Sequence, residues 1–91
     1  MELNLDEILQ KGIEAHGAGQ VLEAERLFDQ IIRSQPYHPV ANHKMGILAF
    51  GEGRMQEALA YFKIALEADL NMGEYWLNYI DALLELDKLD D

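Results

Sequence analysis

Histidine is the residue type in this chain best suited to metal binding or proton transfer, and it occurs at His16, His38 and His43. Zinc sites need three or four ligands at characteristic spacings, such as the paired histidines of an HExxH helix. His38 and His43 lie five residues apart, and the sequence contains neither that motif nor a cysteine. We therefore predict no metal site, no disulfide and no thiolate nucleophile.

Two further stretches resemble ligand-binding motifs. The segment DLNMGEYWLNYI, residues 69–80, has Asp69, Asn71 and Gly73 as in a calcium loop, but its glycine comes one position early and its twelfth position is Ile80. The glycine stretches GAG and GEG lack the lysine and the strand-to-helix context of a phosphate-binding loop. No catalytic constellation or cofactor motif remains, so we expect a protein that is not an enzyme and binds no cofactor.

Charge and hydropathy exclude further classes of function. The net charge is −10, from seventeen acidic and seven basic residues, whereas nucleic-acid binding requires clustered lysine and arginine. The apolar residues are spread along the chain, and no run is long enough for a membrane span. The first residues include Glu2, Asp6 and Glu7 and do not form a secretory signal, so we expect a cytoplasmic location.

The elements that position these residues follow from an internal repeat. GAGQVLEAERLF, residues 17–28, and GEGRMQEALAYF, residues 51–62, share residue types at an offset of 34. The pairs with this offset are Gly12/Gly46, Ile13/Ile47, Ala15/Ala49, Gly17/Gly51, Gly19/Gly53, Glu23/Glu57, Ala24/Ala58 and Phe28/Phe62. A repeat of this period, with glycine, then alanine and phenylalanine four apart, then proline, resembles the tetratricopeptide repeat family.

The resemblance covers nearly the whole chain. It implies one domain, residues 1–91, with repeats at 5–38 and 39–72 and a partial repeat or capping helix at 73–91. The first two units resemble the family pattern closely, but the third has Trp76 without the glycine that follows it in the pattern. The implied fold is all-α, an α-solenoid of antiparallel helix hairpins in a right-handed superhelix.

Apolar spacing independently predicts the first two helices, because it keeps one face of each apolar. Repeating this unit gives five helices near residues 4–17, 21–34, 39–51, 55–68 and 73–86. We expect Gly12 and Gly46 to lie at helix crossings and to face Ala24 and Ala58, and Phe28 and Phe62 to fill the core between hairpins. Trp76 should pack against the preceding hairpin, while the polar side chains of the last helix should face outward. Those polar residues are Asn78, Asp81 and Glu85.

A second face of the first helices remains as a candidate binding surface. In the family that the chain resembles, the corresponding positions line the concave groove where partners bind. Here those positions are Leu9, Ile13, His16, His43, Lys44, Ile47, Phe50, Leu77, Asp81 and Leu84. Their apolar character and the acidic C-terminal end indicate a protein or peptide partner, apolar with basic flanks. Alternatively, neighbouring first helices bury these residues against each other.

The leading hypothesis is a non-catalytic module for protein–protein interaction, with Phe50 and Lys44 as the foremost contacts. The alternative is an N-terminal regulatory or self-association segment of a larger enzyme. Phrases such as YWLNYIDALLEL resemble repeats at the front of bacterial glycosyltransferases, methyltransferases and sulfotransferases. The closing ELDKLDD is typical of a turn into another helix, so we expect the chain to be part of a longer protein.

Overall fold

The computed structural model describes residues 4–89, which form five α-helices and, within this range, no strands. The helices are α1 (Leu5–Gly17), α2 (Val21–Ser34), α3 (Pro39–Gly51), α4 (Met55–Ala68) and α5 (Gly73–Leu89). The predicted all-helical fold is confirmed, and the bounds agree within one residue except that α5 continues to Leu89. None of these helices has both the length and the apolarity needed to cross a bilayer.

Two helices begin at side chains that satisfy free backbone amides. At α1, Oδ1 of Asn4 accepts a hydrogen bond from the Glu7 amide at 2.9 Å, and the Glu7 carboxylate accepts one from Nδ2 of Asn4 at 2.9 Å. At α3, Nδ1 of His38 accepts from the amide of Ala41 at 3.1 Å. The first helical residue there is Pro39, whose missing N–H has no intrahelical partner to lose.

A glycine in the left-handed conformation follows the first helix of each full repeat, two positions after the last helical residue. Gly19 has a φ of 78° and Gly53 a φ of 80°, values that favour glycine because it has no Cβ. The amide of Gln20 then donates to the carbonyl of Ala15 at 2.9 Å, as expected for a Schellman motif. These glycines therefore end α1 and α3.

Each helix packs mainly against its neighbours in the chain, and α3 also contacts α5. The short connections make consecutive helices antiparallel, so the chain forms hairpins α1–α2 and α3–α4 followed by α5. The molecule is elongated, with extents of 50 × 27 × 19 Å. Phe28 and Phe62 are fully buried, which confirms their predicted place in the core.

The two helices of each hairpin approach each other closely where a glycine of the first helix contacts a phenylalanine ring of the second. A methyl group on Gly12 would lie 2.6 Å from Cε1 of Phe28, and one on Gly46 would collide with the ring of Phe62. The atoms nearest to each glycine therefore belong to a phenylalanine one helical turn after the expected alanine. The glycines leave room for an aromatic ring from the second helix, which is why both residue types recur together.

The two junctions after the second helices share one hydrogen-bond arrangement. After α2, Nδ2 of Asn42 donates to the carbonyl of Pro36 at 3.0 Å. After α4, Nε1 of Trp76 donates to the carbonyl of Leu70 at 3.1 Å. Both donors and both acceptors are separated by one repeat, so different side chains make the same connection. We call these two hydrogen bonds the junction tethers.

Trp76 was predicted to pack against the preceding hairpin, but its side chain is not part of the core. Its side chain is 44% exposed, and the adjacent Tyr75 is the buried aromatic residue of α5. Tyr75 packs with Ala65 and Leu66 of α4. The register of α5 therefore turns tyrosine inward and leaves the indole at the surface, held by its junction tether.

Candidate binding surface

The residues predicted to line the groove lie on α1, α3 and α5, and their exposure differs from helix to helix. On α5, Leu77 is 65% exposed, and Asp81 and Leu84 are also exposed. On α1, Ile13 is exposed, while Leu9 and His16 are half-buried. Four apolar or charged side chains on the two outer helices are thus accessible to a partner.

The α3 portion of this surface is more enclosed. Lys44, Ile47 and Phe50 are half-buried. Ile47 and Phe50 pack against a cluster that contains Phe62 of α4 and Ala82 of α5. The two expectations, an exposed groove and burial between neighbouring first helices, are therefore each met in part on α3. The neighbouring helix covers part of each side chain and leaves the remainder exposed at the surface.

His43 lies beneath this surface, with only 3% of its area exposed. Its Nε2 donates to Oδ1 of Asn78 at 2.6 Å, and Oε1 of Glu74 lies 3.8 Å from the same nitrogen. The imidazole ring also contacts the rings of Tyr75 and Phe62, with centroid separations of 4.5 and 5.9 Å. His43 thus joins α3 to α5, and a partner on the surface would contact its neighbours instead.

Asn78 was expected on the outward face of α5, and this expectation is wrong because its side chain faces His43. The two residues are 35 apart, one repeat plus one position. A separation of 35 residues places His43 and Asn78 on the consecutive first helices α3 and α5. This separation could have indicated the contact between the two side chains. The polar pair orients α5 against α3, since a buried ring N–H requires an acceptor.

Replacement of Asn78 with alanine tests this polar contact. The change leaves the buried N–H of His43 without its acceptor, so we expect the free energy of unfolding to fall by about 1–3 kcal/mol. Urea denaturation monitored by circular dichroism measures the difference. Asn71→Ala, at an exposed turn position, is the matched control and should change stability by less than about 0.5 kcal/mol. Equal losses in the two variants would contradict the assignment.

Burial raises the pKa of Tyr75 above its ordinary value, and the carboxylates of Asp69 and Glu74 raise it further. The phenol therefore stays protonated and neutral at physiological pH. The ring of Tyr75 consequently offers His43 an uncharged aromatic contact. The polar centre between α3 and α5 is held by hydrogen bonding and ring packing.

Two further polar side chains from these motifs, those of His38 and Asp69, accept hydrogen bonds from backbone amides. Nδ1 of His38 caps α3, and Oδ1 of Asp69 accepts from the amide of Asn71 at 3.1 Å in the turn before α5. Across residues 4–89, no three histidine or acidic side chains converge as metal ligands. The described surface therefore consists mainly of apolar side chains, with the charged groups of Lys44 and Asp81 among them.

Comparison with known proteins does not assign the chain to a family. No protein-family model matches it, and no curated protein matches it.

Proposed function

We propose that the chain is a module of the tetratricopeptide-repeat kind that binds a segment of another protein along its first helices. The helix bounds support the repeat architecture. Helices α2 and α4 begin and end 34 residues apart, α1 and α3 end 34 apart, and α3 and α5 begin 34 apart. The glycine–phenylalanine contact recurs at the same offset, so the sequence period has a physical counterpart in the packing.

The observation that carries the binding proposal is the exposure of large apolar side chains on the first helices. Ile13, Leu77 and Leu84 are exposed where a face with no partner would carry polar residues. Phe50 extends this surface on α3 with part of its ring accessible. An apolar segment of a partner would bury these groups and so gain free energy on binding.

The charges beside these residues specify the partner further. Asp81 is exposed beside Leu77 and Leu84, and the chain as a whole carries a net charge of −10. Lys44 is the single lysine or arginine of α3. A partner with lysine or arginine flanking its apolar residues would match Asp81, and an acidic group or a carboxylate in its middle would match Lys44.

The test begins with peptides selected against the wild-type chain from a random displayed library. We expect the double variant Phe50→Ala, Lys44→Glu to weaken the binding of such peptides by at least about tenfold, because it removes a contact ring and reverses the charge of α3. Fluorescence anisotropy with labelled peptide measures the affinity. Ile13→Glu should act in the same direction without removing a buried side chain.

The matched control is Leu22→Ala, Lys63→Glu, which makes the same kinds of change at exposed positions of the second helices α2 and α4. It should leave peptide affinity unchanged. Circular dichroism checks that all variants are folded. Selected peptides that bind the Phe50 double variant and Ile13→Glu as tightly as wild type would place binding elsewhere and refute this surface.

A further inference from the structure

Of the three histidines in the chain, His43 is the one that is buried between helices. The other two, His16 and His38, are half-buried. Histidine has an ordinary pKa of about 6.5, so it is the side chain that changes charge near physiological pH. A proton taken up by His43 would place a positive charge where α3 meets the aromatic rings of α4 and α5.

Three kinds of group around this ring favour its charged form. Oε1 of Glu74 lies 3.8 Å from Nε2, at ion-pair distance from a protonated imidazole. Oδ1 of Asn78 accepts from the same nitrogen at 2.6 Å, and a charged donor makes a stronger hydrogen bond than a neutral one. The rings of Tyr75 and Phe62, centred 4.5 and 5.9 Å from the imidazole, also attract a cation.

Burial opposes the charged form, because a charged ring loses its hydration. Lys44 follows His43 on α3 and has a like charge, but successive side chains of a helix point about 100° apart. From α4 the ring meets the apolar side chain of Phe62, and from α5 it meets Tyr75, which is neutral because burial raises its pKa. Among the described residues, Glu74 is the one acid at ion-pair distance from the ring.

The histidine and the acid occur together at one of the two equivalent seams between first helices. One repeat earlier, Leu9 stands at the position of His43 and Val40 at the position of Glu74. The seam between α1 and α3 therefore has an apolar residue at both places, and these residues are half-buried. The polar pair is thus specific to the seam between α3 and α5, where the charge of one side chain can be met by the other.

We propose that His43 and Glu74 form a proton-dependent clasp between α3 and α5. The neutral ring is held by its hydrogen bond to Asn78, and the protonated ring keeps this bond and gains an ion pair with Glu74. Glu74 lies in the first turn of α5, so the start of that helix is held more firmly to α3 as the pH falls. The clasp does not depend on the proposed function, since both partners belong to the chain itself.

A double-mutant cycle at two pH values tests the clasp. Urea denaturation gives the unfolding equilibrium constants of the full chain, of Glu74→Gln, of His43→Gln and of the double variant. Histidine is ordinarily neutral at about pH 8 and charged at about pH 5.5, whereas glutamate is ordinarily ionised at both. We expect Glu74→Gln to raise the unfolding constant about threefold more at the lower pH, as for a partly exposed ion pair.

The unfolded chain determines the sign of this difference. At the higher pH the ring is neutral in both states, so Glu74 has no charge to pair with. At the lower pH the unfolded ring carries a proton. Folding of Glu74→Gln must then either release this proton or bury the charge without its counter-ion, and both lower the free energy of unfolding.

The matched control is Asp6→Asn. Asp6 lies two repeats before Glu74 and also in the first turn of its helix, but the one histidine ion pair among the described residues is that of His43 with Glu74. Its effect on stability should be the same at both pH values. In the His43→Gln background, the effect of Glu74→Gln should likewise lose its pH dependence.

Two results would overturn the proposal. One is an effect of Glu74→Gln that is equal at both pH values, which would show that His43 carries no charge that Glu74 stabilises. The other is a pH-dependent effect that persists without His43. If His43→Gln fails to fold, the comparison of Glu74→Gln with Asp6→Asn still decides, because both positions are exposed.

Discussion

Replacement of Phe62 with alanine lowers the free energy of unfolding by roughly 3–5 kcal/mol, the largest effect we expect from a single substitution. The ring is 1% exposed and packs against Gly46 and the imidazole of His43. Its removal leaves a cavity at the point where α3, α4 and α5 meet. Because small domains have total stabilities of about 5–15 kcal/mol, the variant should show a markedly lower denaturation midpoint. Urea titration followed by circular dichroism measures it.

The matched control for this substitution is Leu22→Ala. Leu22 is a large apolar residue of the second helix in the preceding hairpin, but it is strongly exposed. Its truncation should change stability by less than about 0.5 kcal/mol. A similar small loss in both variants would show that Phe62 is not a core residue.

Substitution of Gly46 with alanine should lower the free energy of unfolding by about 1–3 kcal/mol, although alanine is the better helix former. The added methyl group would collide with the ring of Phe62, which is buried. Thermal and urea denaturation both report the change. Phe62→Leu in the same chain should recover part of the loss, since a smaller side chain relieves the collision.

Gly51→Ala, at the end of the same helix, should instead raise the free energy of unfolding. A methyl group there meets no atom within 4 Å, and the backbone is not left-handed. The helical preference of alanine should then raise stability by up to about 1 kcal/mol. If Gly46→Ala also raised stability, the close contact between glycine and ring would be refuted.

The helices and their ends could be predicted from the sequence because local signals determine them. The apolar spacing identifies each helix, Pro39 marks the start of α3, and Gly19 and Gly53 supply the left-handed turns. The offset of 34 then applies the same bounds to each unit. The end of α5 was placed too early, since no glycine or proline follows it to mark a stop.

The contacts between helices were less predictable, because they depend on the rotation of each helix about its axis. Gly12 was assigned an alanine partner on the general rule that small residues meet at crossings, whereas the structure pairs it with Phe28. On α5 the buried aromatic residue is Tyr75. The side chain of its neighbour Trp76 points in another direction round the helix and is partly exposed. Asn78 was predicted to be solvated, since nothing local to α5 indicated a histidine one repeat earlier.

The candidate site was predicted as a row of positions, and the structure distinguishes among its members. Leu77 and Leu84 are exposed, Ile47 and Phe50 are partly covered, and His43 is inside. Periodicity can assign residues to a face of a helix but not the depth at which a neighbouring helix covers them. That depth depends on the packing of α3 against α5, which is non-local.

The junction tethers join α3 and α5 to the turns that precede them. Asn42 and Trp76 reach carbonyls 34 residues apart, so the same connection is made at both junctions although the donor side chains are chemically unrelated. Evolution could exchange one donor for another there without losing the connection, provided that an N–H group still spans the same gap.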